Sequence, residues 1–318
     1  MLRAIGIKIL LLIPVLFLVS LGTFMLVELV PGDPAIQVLG PNSTQEEYYR
    51  IRTEMGLDKP IVERYVDWLG DAAHGDLGRN LVPPVEDVWT RLRRAFPVNI
   101  ELAVLALLMA FAISLPLAMW SAYRSGTRFD RMVSASMFGL ISVPSVLAGI
   151  LLLLIFAINW RFFPLGQWAR PTEKGWGTNL KHAFLPALTL ALNETAVFTR
   201  LLRSDMISTL QEDYILAAKA KGMPTRHILL REALRPSSFS LITLAGVSLG
   251  RLIGGTVIVE GVFALPGVGR TVIDAATKSD YKLVQGGVLI IAVIYIALNL
   301  FVDIMYSYLD PRIRRGRI

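Results

Sequence analysis

The sequence predicts an all-α integral membrane protein with six transmembrane helices and both termini in the cytoplasm. Three observations predict it: a composition too apolar for one soluble domain, six apolar stretches of span length, and basic residues gathered at alternate connections. Of the 318 residues, 54% are hydrophobic, and each crossing of a bilayer needs about 20 mostly apolar residues.

The six stretches are residues 9–30, 100–123, 133–158, 183–202, 238–259 and 283–308. The first reads as an uncleaved helix, because it has span length and no small-residue cleavage site before "PGDP". The fourth carries Asn193, Glu194 and Thr195 at its centre. A charge there costs about 2.5–3.5 kcal/mol on insertion scales, so this helix needs protein neighbours. Pro116, Pro144 and Pro186 mark kinks, tolerated where neighbours satisfy the freed carbonyls.

Half of the 32 lysines and arginines fall in the N-terminal segment, in 124–131, in 200–235 and in the tail after Asp310. An excess of that kind marks the cytoplasmic side. The net charge of +7 therefore belongs to topology, and nucleic acid is not expected as a partner.

The chain divides into an N-terminal segment with the first helix (1–30), an outward helical cap (31–97) and a core of five helices (98–318). In the cap, "TQEEYYRIRTEMG" and "PIVERYVDWLGDAAHG" place apolar residues at helical spacing, with Ile61, Tyr65, Trp68 and Leu69 near one face. "VEDVWTRLRRAF" is amphipathic and is expected to lie along the membrane interface until Pro97 opens the second span. The cap either packs on the helix ends or docks an external partner.

Between the fourth and fifth spans lies "DYILAAKAKGMPTRHILLREALRP", part of a hairpin at 204–236. Asp213 opens a strong helix former and Lys219 and Lys221 close it, which suits the helix dipole. Gly222 supplies the left-handed stop, Pro224 blocks continuation, and "TRHILLREAL" forms a second short helix that Pro236 closes. Arg226 adds charge to that second piece. Tyr214, Ala217 and Ala218 permit close approach by a partner, because two of them are small. Basic residues mixed with Ala and Tyr fit a protein partner better than a membrane surface.

The chain contains no cysteine, and His74, His182 and His227 lack ligand spacing, so no metal site is expected. No G-x-x-x-x-G-K-[ST] loop occurs, and no nucleophile triad or paired-carboxylate set can be assembled from the loops. The chain is expected not to be an enzyme and to hold no cofactor.

The hairpin resembles the EAA loop of ATP-binding-cassette importer permeases. Gly222 matches the central glycine of that loop and Ala217–Ala218 its two alanines, while Leu216 stands where the wider pattern has glutamate. The later Ile-x-Leu-Pro element appears only as "EALRP". Over nearly the whole chain the order of "PGDP", "GLDKPIVERYVDWL" with "HGDLGRN", "DYILAAKAKG", "VEGVFALPGVGRTVIDA", "SDYKLVQGG" and "DPRIR" is similar to the dipeptide/oligopeptide/nickel branch. That resemblance implies the type I importer fold in a bacterial inner membrane and half of a pathway for peptides. It implies a second, related but different permease, two ATPase subunits that bind ATP and Mg, and an extracytoplasmic substrate-binding protein. Nickel chelates, glutathione and sugars are alternative solutes within the branch.

Gly246, Gly250 and Gly254 form a close-packing stripe, serving packing within the subunit or lining the pathway. Arg251, on the next helical position, should not face lipid, and Glu194 is one conceivable partner. Glu28 and Asp303 sit near span ends, where structural roles are expected. Glu260, Pro266, Gly267, Gly269 and Asp280 resemble the family's outer re-entrant segment, read as a gate or a structural turn. An ion-coupled secondary transporter would need two related halves and midplane ligands; no repeat is visible and only Asn193–Glu194 resembles such a site. A receptor or scaffold would leave the intramembrane charges without a solute role.

Overall fold

The computed structural model of the chain describes residues 2–29, 33–39 and 44–309. Part of "PGDP", the basic tail after Asp310 with "DPRIR", and the Asp303 side chain lie outside the described residues. Among those described, all regular structure is helical apart from one isolated β-bridge between Arg79 and Asp87.

The chain begins with α1 (Leu2–Glu28) and three cap helices, α2 (Pro34–Leu39), α3 (Gln45–Glu54) and α4 (Ile61–Ala73). Thr44 starts α3 with a reciprocal capping box: Glu47 N donates to the Thr44 hydroxyl, and Thr44 N donates to the Glu47 carboxylate at 3.0 Å. Then come α5 (Val88–Tyr123), α6 (Arg128–Ser142) and α7 (Ser145–Leu152), which runs on as a π-helical turn over Leu153–Asn159. The short α8 (Pro171–Lys174) leads into α9 (Trp176–Thr209). α10 (Asp213–Ala220) and α11 (Thr225–His227) follow, then a π-helical turn (Ile228–Ala233) and α12 (Leu234–Gly255). Two short helices, α13 (Val257–Val262) and α14 (Val268–Thr277), precede α15 (Tyr281–Leu309).

Among the described residues, three helical runs are long and apolar enough to cross a membrane: Val88–Tyr123, Thr225–Gly254 and Tyr281–Val302. The expected third span is not one kinked helix. It breaks between α6 and the Ser145–Asn159 run with a bend of 102°. Pro144 disfavours helical backbone at the residue before it, and Val143 is extended (φ −85°, ψ 119°). Pro97 does not open the second span either, because α5 already runs from Val88 through it. Leu92, Ala95, Val98 and Leu102 are buried on both sides of that proline, so packing sustains the helix across the missing N–H. Of the amphipathic stretch before Pro97, one face (Val88, Leu92, Ala95) is buried, while Val85, Trp89, Arg93 and Arg94 are exposed.

The chain separates into two compact units, residues 1–99 with 266–300, and 100–265 with 301–318. In the first, Leu77, Val88, Leu92, Ala95, Val268, Ala275, Leu283 and Leu289 form one apolar cluster. α4 docks on α1 through Tyr65: its ring lies edge-on to Phe24 at 5.4 Å, and its hydroxyl lies 2.8 Å from Ser20 Oγ. Arg64 pairs with Glu28, which gives that acid a structural partner. Tyr65 is buried and Trp68 and Leu69 are half-buried, whereas Ile61, in the first turn of α4, points outward.

In the second unit α9 is the central post. Ala183, Leu190, Phe198, Leu202 and Met206 are buried along it, and α6, α7 and α12 pack against it. These neighbours allow a helix with a polar centre. Gly246 of α12 lies so close to α15 that a Cβ there would meet Val302 Cγ1 at 2.8 Å. Gly250 is buried and Gly254 half-buried. At Gly246 the stripe therefore serves packing inside the subunit.

Candidate functional site: a closed hairpin and the charges behind it

α10 starts with Asp213 in its first turn and ends on Lys221. Gly222 follows with φ +74°, a left-handed conformation that costs an L-residue about 1–2 kcal/mol. Gly222 N donates to Lys219 O at 3.0 Å and Met223 N to Ala218 O at 3.2 Å. That pair is the Schellman pattern, which satisfies carbonyls the helix end would otherwise leave open. Pro224 then caps α11 from an extended backbone. The two strokes of the hairpin are joined at their base, where Thr209 and Ser237 hydroxyls lie 2.9 Å apart.

The second stroke does not stop at Pro236. It passes through the π-helical turn and continues as α12. A π-turn displaces the hydrogen-bond register by one residue, and a proline in the next turn has no N–H to leave stranded. The hairpin is thus built directly onto a crossing helix.

Ile215 and Ala218 of α10 are buried, as are Ile228, Leu229 and Ala233 of the π-turn that α10 packs against. Ala218 therefore belongs to the inner seam. The outward side carries Asp213, Tyr214, Leu216, Ala217, Lys221, Met223 and Arg226, all exposed. Leu216 at 54% and Tyr214 at 45% exposure are its largest apolar contributions. Leu216 and Met223 were not among the sequence candidates. Helical spacing around Gly222 could have placed Leu216 outside, opposite Ala218. Burial and the Glu212 and Glu232 carboxylates push the Tyr214 phenol up, so it stays protonated and can donate to Glu232 O at 3.4 Å.

Two ion clusters lie on the helices above the hairpin. Arg251 Nη2 donates to Glu194 Oε1 at 2.7 Å, and Ser248 Oγ donates to Glu194 Oε2 at 2.7 Å. The conceived pairing of Glu194 with Arg251 is thus present, with Ser248 added. Glu194 is 2% exposed, whereas the Arg251 side chain is 54% exposed. Asn193 beside it faces outward.

The second cluster was missed in the sequence. Arg203 Nε and Nη2 donate to the two Asp130 oxygens at 2.5 and 2.7 Å. Ser121 Oγ and Gly126 N donate to the same carboxylate at 2.5 and 2.9 Å. This fork ties the end of α5 and the start of α6 to α9, seven residues before the turn into α10 begins at Leu210. An acid in the first turn of one apolar helix and an arginine late in another was the available signal.

The outer-segment candidates divide between the two units. In the second, Glu260 is buried and accepts from Thr256 Oγ1 at 2.5 Å. In the first, Pro266 is exposed, Gly267 caps α14 and Gly269 is buried. Asn99 Oδ1 accepts from Val268 N at 2.9 Å. Asp280 is buried, and its Oδ1 accepts from Leu81 N at 3.1 Å. Each of these acids is held by contacts within its own unit.

Comparison with known proteins places the chain in a family. The family described as binding-protein-dependent transport system inner membrane component matches residues 114–315, and the N-terminal component of such systems matches residues 1–103. A protein of Brucella abortus (strain 2308) named as a peptide transport system permease is 36% identical over 95% of this chain and 96% of its own. The dipeptide transport system permease protein DppB of Escherichia coli K12 is 32% identical over 96% of this chain and 97% of its own. A chain of the MetNI methionine ABC transporter in inward-facing conformations aligns with a TM-score of 0.50 and 18% identity. That alignment covers 67% of this chain and 95% of the other, a likeness of fold alone. The chain belongs to the family of binding-protein-dependent transport system inner membrane components, the membrane-embedded permeases of ABC importers.

Proposed function

We propose that the chain is the permease subunit of a peptide importer in a bacterial inner membrane, forming half of the pathway for di- and oligopeptides. The observation that carries this reading is the Schellman-closed hairpin, which presents Tyr214, Leu216, Ala217 and Met223 from between α9 and α12. In this reading the helices make six crossings with both termini in the cytoplasm. The hairpin sits in a groove of an ATPase subunit, and two such subunits hold ATP and Mg. A second, related permease completes the pathway, and an external binding protein delivers the peptide. The chain itself performs no catalysis. Closure of the ATPases pulls on the hairpin, and α9 and α12 carry that motion across the membrane as rigid rods.

The test is uptake into vesicles that hold the complete complex, with the binding protein outside and ATP inside. Labelled dialanine and trialanine are expected to accumulate only with ATP. Accumulation of a nickel chelate, glutathione or a sugar instead would overturn the peptide assignment. Accumulation driven by a proton gradient without ATP would overturn the importer mechanism.

A further inference from the structure

The second unit carries an open groove of about 530 Å³ lined by Ser134 and Phe138 of α6, Val197, Arg200 and Ser204 of α9, and Leu244 of α12. Arg200 stacks its guanidinium over the Phe138 ring, 4.3 Å from the centroid. Among the described residues no carboxylate lies within ion-pair reach of Arg200. Asn193, Val197, Arg200 and Ser204 share one face of α9 by spacing, and Ser240, Leu244, Val247 and Arg251 repeat that spacing on α12. By that spacing the two helix faces run on, beyond the groove's own lining, toward the Glu194–Arg251 pair, which spans the same two helices. Glu194 and Arg200 are about 9 Å apart along the axis at 1.5 Å per residue.

Asn193, Arg200, Ser204, Ser240 and Arg251 are all exposed on this face. A surface with two arginines and three further polar groups is costly against lipid and suits water or a polar passenger. Glu194 and Asp130 are buried and bonded, and Asp205, the residue after Ser204, is half-buried with one carboxylate oxygen enclosed and without a hydrogen-bond partner. The surface therefore offers a passenger two exposed guanidinium groups, while none of these three carboxylates is exposed.

We propose that this paired face of α9 and α12 is the wall along which the solute passes, with Arg251 and Arg200 taking its carboxylate in turn. The inference rests on the peptide reading and adds a selectivity to it. Peptides with a free C-terminal carboxylate and neutral or acidic side chains pass faster than amidated or lysine-containing ones.

The chain has no cysteine, so single cysteines can be introduced into the full complex without background from this subunit. Asn193→Cys and Ser240→Cys are expected to react with a charged, water-soluble methanethiosulfonate at least roughly tenfold faster than Ile242→Cys, on another face of α12. No reaction at the first two positions in any state of the cycle overturns the wall. Uptake is then measured with the binding protein saturated, so that its own preference drops out. Arg200→Gln is expected to slow trialanine about tenfold and leave trialanine amide within about twofold of its rate, since only the former carries the charged partner. Equal slowing of both, or slowing of neither, overturns the assignment. A loss that ignores peptide charge and is reproduced by removing anionic phospholipid from wild-type vesicles gives Arg200 to a lipid headgroup and overturns it as well. Wild-type vesicles that hydrolyse ATP yet move none of these peptides overturn the peptide reading, and the wall with it.

Discussion

Arg203 and Asp130 lie 73 residues apart and meet in a two-bonded fork of 2.5 and 2.7 Å, backed by Ser121 and the Gly126 N–H. The Asp130 carboxylate is nearly buried, while about a quarter of the Arg203 side chain is exposed. Such a pair contributes little beyond its own desolvation when whole, but removing one partner strands the other. The fork holds α9 against the end of α5 and the start of α6, seven residues before the turn at Leu210 that leads into the hairpin.

Arg203→Ala is expected to lower the stability of the purified protein by about 3 kcal/mol, the lower end for a broken buried pair given the partial exposure of Arg203. Arg203→Lys, which cannot form the two-bonded fork, should fall between. Thermal unfolding in detergent checks both. Equal transition temperatures for Arg203→Ala and wild type would show that the fork holds nothing.

Gly222 permits a graded test. No atom lies within 4 Å of where its Cβ would stand, so only the φ of +74° resists a side chain. Gly222→Asn should be nearly silent and Gly222→Ala should cost about 1 kcal/mol. Gly222→Pro cannot adopt a positive φ and removes the N–H bonded to Lys219, so it should uncouple ATP hydrolysis from transport. The ratio of peptide moved to ATP hydrolysed in the reconstituted complex reads this order. Normal coupling in Gly222→Pro would contradict it.

Glu194→Gln leaves Arg251 without its counter-charge and should reduce uptake or assembled protein at least about tenfold, as expected when an intramembrane pair is broken. Glu194→Gln combined with Arg251→Gln should recover part of the assembly, because no charge is then stranded. Membrane abundance and uptake across the four variants give the coupling directly. Strict additivity would mean that the 2.7 Å contact carries no energy.

Local chemistry made much of this legible. The hairpin was readable because its acids, its Gly222 stop and its Pro224 restart lie within a dozen residues. The Glu194–Arg251 pair was readable because two intramembrane charges on neighbouring spans have few places to go. The prolines were misread in both directions. Pro144 makes a corner rather than a kink because nothing sustains helix at Val143, whereas Pro97 and Pro236 are passed over, one by core packing and one by a π-turn. The Asp130–Arg203 fork and the Asn99–Val268 bond join residues 73 and 169 positions apart. Nothing in the local pattern announces such a distance. Ala218 is small enough to admit a partner, but its place three residues after Ile215 turns it into the seam.

The most direct measurement replaces Leu216, and separately Ala217, with a photo-crosslinking amino acid in intact membranes and identifies the adduct by mass spectrometry. The expected result is a covalent product with a nucleotide-binding ATPase subunit on the cytoplasmic side, formed from both positions and lost when Gly222 is changed to Pro. Products with lipid alone, or with the external binding protein, would contradict the hairpin's assignment as the place where ATP-driven motion enters this permease.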